Sequence, residues 1–284
     1  RQAHNLKAAG SNPAPATSST EKPRQLVELP GFFFCRKSSI LHRWASLSNR
    51  QERASLKNKG TPASGSLSAK RLYDRYGAGL VAIVTVDALG DERTGSAFHV
   101  GDGVFVTARH VVEGHAECRV ELDAYRAGQL AEDATDRLTT LHGRRFPVHA
   151  FTHPDPAKDV AVFAVPALAA LPAIPPGYHL DDAIIDDDFV LNEVLVLGFP
   201  PIPLSRQNVL VAARGQINAV VRLINVPHAH FVVSTTARGG FSGGVVLSEW
   251  GFALGVVTSS LVKNDAPEEL GYLTVLAVEP ILEC

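Results

Sequence analysis

Along this 284-residue chain the hydrophobic pattern changes character once. Residues 1–70 show no sustained hydrophobic period, and their longest apolar stretch is Phe32-Phe33-Phe34-Cys35. From residue 79 short β-branched and apolar runs alternate with turn residues, the pattern of an all-β barrel or sandwich. Strands are expected at 80–86, 95–100, 104–108, 117–122, 145–152 and 159–165. A stretch with Pro166, Pro172, Pro175 and Pro176 follows, then the acidic Asp181-Asp182 and Asp186-Asp187-Asp188. Strands resume at 193–198, 209–221, 230–234, 244–247, 252–258 and 272–278. The pattern therefore gives two groups of about six strands joined by a polar connector.

Charge divides the chain at the same place. Residues 1–70 hold 12 Lys and Arg against 3 Glu and no Asp, which leaves 15 basic and 26 acidic residues for 71–284. With 45% hydrophobic residues overall the chain can bury a core, but the first part, rich in Ser, Pro, Asn and Lys, is expected to be a disordered basic extension. Four readings of it stay open: a flexible basic arm, an Arg- and Ser-rich transit peptide, a membrane-surface anchor, or sequence outside the mature protein. The chain has no Met, even at position 1, and residues 6–17 read like the translated end of a transfer-RNA gene; both favour the last reading.

A net charge of −2 argues against a general nucleic-acid binder, which needs a basic surface to neutralise phosphates. No run approaches the roughly 20 apolar residues of a membrane span, and no apolar core of about 7 to 15 residues follows a basic start as in a secretory signal. Cys35, Cys118 and Cys284 are too few and too scattered for a disulfide framework, so a reducing, cytoplasmic setting is expected.

Three short segments carry candidate chemistry: His110 after Val106-Thr107-Ala108-Arg109, Asp159 at the head of Asp159-Val160-Ala161-Val162, and Ser242 within Gly239-Gly240-Phe241-Ser242-Gly243-Gly244. A serine hydroxyl is a poor nucleophile near neutral pH; it needs an imidazole to take its proton and a carboxylate to fix that ring's tautomer. Taken singly, a surface histidine, a strand boundary and a glycine turn explain each segment. Their order and flanks favour one joint explanation. The α/β-hydrolases put the serine first, between a strand and a helix, whereas here the order is His, Asp, Ser. The 49 residues from His110 to Asp159 and 83 from Asp159 to Ser242 leave room for two strand groups. His228 and His230 alternate on an expected strand, but without Cys or acidic partners at ligand spacing they suggest no metal site. The acidic run lacks the glycine turn and alternating ligands of a calcium loop and reads as a solvated connector.

At these residues the chain resembles the chymotrypsin/trypsin-like serine peptidases, and most closely their bacterial HtrA-type branch, over about residues 78 to 282. Thr107-Ala108-Arg109-His110 is similar to that family's Thr-Ala-Ala-His, Asp159-Val160-Ala161-Val162 to its Asp-Ile-Ala-Leu, and Gly240-Phe241-Ser242-Gly243-Gly244 to its Gly-Asp-Ser-Gly-Gly. The resemblance implies two six-stranded antiparallel β-barrels, the first about 78–166 and the second about 189–282 with a linker at 167–188, in a peptidase domain spanning 71–284. It implies a serine endopeptidase acting on protein or peptide substrates through His110, Asp159 and Ser242, with no metal or cofactor. An oxyanion hole made by the N–H groups of Gly240 and Ser242 is implied as well, and a specificity pocket lined by Thr236, Ala237, Thr258 and Ser260.

Departures from the family pattern qualify this. Phe241 stands where digestive members carry an aspartate that pairs with a new N-terminus, so that activation route is not expected and the phenyl ring should pack behind the serine loop. Thr236 replaces the aspartate that holds Arg or Lys substrates, which favours small or medium apolar side chains. Thr258 is expected to donate to Asp159, and Arg109 to lie solvated outside its turn rather than over the imidazole. HtrA-type enzymes usually continue into a PDZ domain, and no such module is expected after Val278. The alternative reading is a catalytically weak, peptidase-like binding or regulatory module, which Phe241 and the lack of proline after Gly243-Gly244 favour.

Overall fold

A computed structural model describes residues 66–115, 117–122, 145–177, 180, 189–205, 207–224, 226–235, 241–263 and 266–284, without the side chains of 259–271. The basic extension up to residue 65 and the acidic run 181–188 lie outside the described residues.

The unbroken apolar run Leu80–Val86 forms strand β1, six of its seven residues buried. Its period of two explains how both faces find partners. Val81 and Ile83 enter one cluster with Ala97, Phe105, Val120 and Phe163, while Leu80 and Ala82 enter a larger one with Phe98, Val106 and the interior of the second strand group. β2 (Glu92–Gly101) and β3 (Val104–Thr107) follow, then the one-turn helix α2 (Arg109–Val112) and β4 (Glu117–Glu121). The strand expected over 145–152 is instead two short ones, β5 (Phe146–Pro147) and β6 (Phe151–Thr152), followed by β7 (Ala161–Ala164). They occupy opposite edges of a seven-stranded sheet ordered β5-β4-β1-β2-β3-β7-β6. Pro147 lacks an N–H for a ladder and suits such an edge.

The second group is β8 (Glu193–Gly198), β9 (Val211–Leu223), β10 (Val226–Ser234), β11 (Val245–Ser248), β12 (Ala253–Lys263) and β13 (Ala266–Ala277). These six close into a barrel, β10-β13-β12-β11-β8-β9, with antiparallel ladders throughout. The fold is thus all-β and of the expected class: one closed six-stranded barrel facing a curled sheet.

Before β1 comes helix α1 (Ala69–Tyr76), which the sequence reading did not anticipate. Ser68 caps it by accepting from Arg71 N, and Leu72 and Tyr76, four apart on one face, are buried in the larger cluster. Just ahead of it, Leu67 N donates to Glu249 O, between β11 and β12, at 2.8 Å. The stretch between the strand groups is tied down too: Ile174 N donates to His99 O, Ala253 N to Pro175 O and Gly177 N to Ala253 O, each at 2.8 Å.

Candidate active site

β3 ends at Thr107, Ala108 stays extended, and the chain turns at once into α2. Burial of Val111 and Val112 seats this turn against β2. The seat exists because Gly95 has no side chain: a Cβ there would collide with Val111 Cγ1 and stand 3.0 Å from its Cγ2. With the two valines inward, His110 faces out, its side chain about half accessible (49%).

Asp159 lies between β6 and β7, where Val160 is buried in the larger cluster and fixes the backbone. Its carboxylate grips His110 at two points. Oδ1 accepts the backbone N–H of His110 at 2.9 Å, and Oδ2 lies 2.7 Å from Nδ1. An ionised carboxylate only accepts, so the proton sits on Nδ1 and Nε2 presents its lone pair. Arg109, its side chain 18% exposed, is paired rather than free in solvent. It forms a two-point ion pair with Glu113 (2.7 and 2.6 Å) and donates to His153 O at 3.3 Å.

Ser242 sits at the corner of a tight turn in which Gly244 N donates to Phe241 O at 2.7 Å and Gly243 takes φ +79°. A left-handed third residue is what a type II turn demands. The turn is pinned from both sides. Gly243 N donates to Val257 O (2.8 Å) of the barrel, while Ser96 N of β2 donates to Ser242 O (2.9 Å). A Cβ on Gly243 would collide with Ser96 O and Thr107 Oγ1 and lie 3.1 Å from Ala108 N. The serine turn therefore rests on the backbone two residues before His110. Phe241 is buried (3% exposed) behind the turn, as expected, with its ring against Gly198 at the end of β8.

Sequence reasoning missed Gly95, Ser96 and Thr107 as parts of this site. Ser96 Oγ also accepts Phe199 N at 2.8 Å, and Thr107 Oγ1 donates to Ser96 O at 2.8 Å, so one small residue ties the sheet to the barrel beside the serine. The available signal was a run of Gly, Ser and Ala in a strand otherwise filled with larger side chains. Thr258 does not serve Asp159: its hydroxyl donates to Thr274 O at 3.3 Å within the barrel. Gly240, Thr236 and Ala237 lie outside the described residues, as does the side chain of Ser260. His228 and His230 are both buried, with His230 Nδ1 3.0 Å from His228 O. Among the described residues no group of three or more His, Cys, Asp or Glu is arranged to hold a metal ion, and no helix is long and apolar enough to cross a membrane.

Residues 95–256 match the family model of the trypsin-like peptidase domain, and the chain belongs to that family. Its fold is similar to that of the HtrA-type protease AlgW with a tripeptide, at 21% identity and TM-score 0.55 over 76% of this chain and 62% of that one. The Rv3671c protease from M. tuberculosis in its active form compares at 20% and 0.55, over 78% and 88% of the two chains. A serine endoprotease from Yersinia pestis compares at 20% and 0.51, over 76% and 64%. The chain thus spans about 62% of the length of the AlgW chain. No curated protein sequence matches it.

Proposed function

We propose that this domain, taken as residues 71–284, hydrolyses peptide bonds through an acyl-enzyme built on Ser242. His110 Nε2 takes the Ser242 proton as Oγ attacks the scissile carbonyl, and the resulting imidazolium returns that proton to the leaving amine. Asp159 stays ionised and holds the ring by Nδ1. The N–H groups of Gly240 and Ser242 receive the oxyanion, where losing one donor typically costs about 10²- to 10³-fold in rate. Water, deprotonated by His110, then releases the acid product. The observation that carries this reading is the two-point grip of Asp159 on His110, with the backbone of the serine turn seated against Ala108.

The substrates of this reading are polypeptides; the neighbour AlgW is seen with a tripeptide. Thr236, Ala237, Thr258 and Ser260 would line a pocket with no buried anion, suited to small or medium apolar side chains before the cleaved bond. The chemistry is tested by labelling with a fluorophosphonate. Native protein is expected to be modified at Ser242, and both Ser242→Ala and His110→Ala to lose labelling. A folded native chain that stays unlabelled would overturn the triad and return the binding-module reading.

A further inference from the structure

The loop that presents Asp159 is held from outside by a carboxylate that belongs to none of the three motifs. Glu283 ends the 3-10 turn Glu279–Glu283 that follows β13. Its Oε2 accepts from His153 Nε2 at 2.9 Å and from Lys158 Nζ at 2.5 Å, and its Oε1 lies 3.6 Å from Nε2 of His228 on β10. His153 and Lys158 are the first residue of the β6–β7 loop and the residue just before Asp159. Both are buried, at 5% and 9% exposure.

The geometry points to Glu283 as a positioning residue for the acid of the proposed triad: it clamps the 153–160 loop so that Asp159 meets His110 at two points. The inference rests on the triad reading above. Inside the loop the bonds are short-range: His153 N to Val160 O, Lys158 N to Asp155 O, Val160 N to Lys158 O, and Ala157 N to Asp155 Oδ1. They shape the loop; beyond the His110–Asp159 bonds and the burial of Val160, Arg109 and Glu283 tie it to other elements. His153 Nδ1 accepts Asp155 N at 2.9 Å, so the ring proton of the neutral tautomer sits on Nε2 and goes to Glu283. The imidazole is thus a strut from the loop backbone to the clamp. Without Glu283 the Lys158 ammonium would be a poorly solvated cation one residue from Asp159, a costly arrangement that displaces the loop. Burial pushes the Glu283 carboxyl up, but the hydrogen bonds from Lys158 and His153 and the charges of Lys158 and His228 hold it below the ordinary glutamate value.

The test compares Glu283→Gln, nearly isosteric but uncharged, with Glu193→Gln, which removes the exposed Arg214–Glu193 ion pair elsewhere on the barrel. With a fluorogenic peptide that the wild type cleaves, Glu283→Gln is expected to lower kcat by about 10- to 100-fold with KM little changed, as misplaced catalytic groups do. The acid limb of its kcat/KM profile should move to lower pH, because His110 loses part of the negative charge that favours its protonated form. Glu193→Gln should match the wild type in both respects. A wild-type kcat and acid limb in Glu283→Gln would overturn the inference, and so would a lower rate with the limb unmoved. Should Glu283→Gln fold poorly, Lys158→Met/Glu283→Gln removes both charges and should show the same kcat loss; wild-type kcat there also overturns it. A wild type that neither labels nor cleaves would sink the triad instead. The clamp is then read from hydrogen exchange over 153–160, which must speed up in Glu283→Gln and not in Glu193→Gln.

Discussion

At Gly243 two independent demands fall on one residue. The turn needs a left-handed φ of +79°, and the space a side chain would fill is taken by Ser96 O, Thr107 Oγ1 and the Ala108 backbone. Gly243→Ala must therefore either strain the turn or push it off the strand that leads to His110. The expected outcome is a fluorophosphonate labelling rate at least about 10²-fold lower, in line with the cost of displacing a reacting group by an ångström. Stopped-flow or gel-based labelling, with circular dichroism to confirm folding, checks it. The motif itself was legible here, since a glycine-flanked serine in the third position of the His-Asp-Ser order is visible without coordinates. What could not be read was that the glycine's partner is Ser96, because that contact depends on how sheet and barrel meet.

Elements whose period matched their burial were read closely. β1 and β8 fall at the expected residues, since their runs are buried nearly end to end. The run at 145–152 failed because its two ends pair with different neighbours, β4 and β7, on opposite edges of the sheet. Helix α1 escaped because only Leu72 and Tyr76 mark its buried face among charged residues. α2 is too short for any periodic signal, and the space it needs is recorded only in Gly95. Gly95→Val tests that element directly. The added branch meets Val111, so α2 must lift from β2 and take the His110 N–H away from Asp159 Oδ1. Peptidase activity is expected to fall by about 10²-fold or more, and the His110 ring proton resonance that reports the Asp159 bond should broaden or vanish.

Across the whole molecule, sheet, connector and barrel share buried polar joints that no linear pattern shows. His99 on β2 is one. Its Nε2 accepts Gly103 N at 2.9 Å, so Nδ1 carries the proton and faces Pro172 O of the connector at 3.3 Å. Burial is the main influence and holds the ring's pKa below the ordinary 6.5, although the Pro172 and Leu171 carbonyls and the Asp102 charge pull it up. The neutral ring is the one that fits, because protonating Nε2 would set it against Gly103 N–H. In the unfolded chain the ring takes up its proton near 6.5, so the stability it contributes is complete above that pH and declines as pH falls through 6.5 toward the lower folded value. Thermal melts between pH 8 and 5 should show this decline, and His99→Gln should flatten it while lowering stability at pH 8.

Ser96 makes the seating of the Ser242 turn depend on strands far apart in the chain. A chain made from its N-terminus has β2 and His110 long before the Ser242 turn exists, and that turn's carbonyl finds its donor only when β2 and the finished barrel close on each other. Under the proposed mechanism, then, the nucleophile's loop is seated only once both strand groups have formed and met.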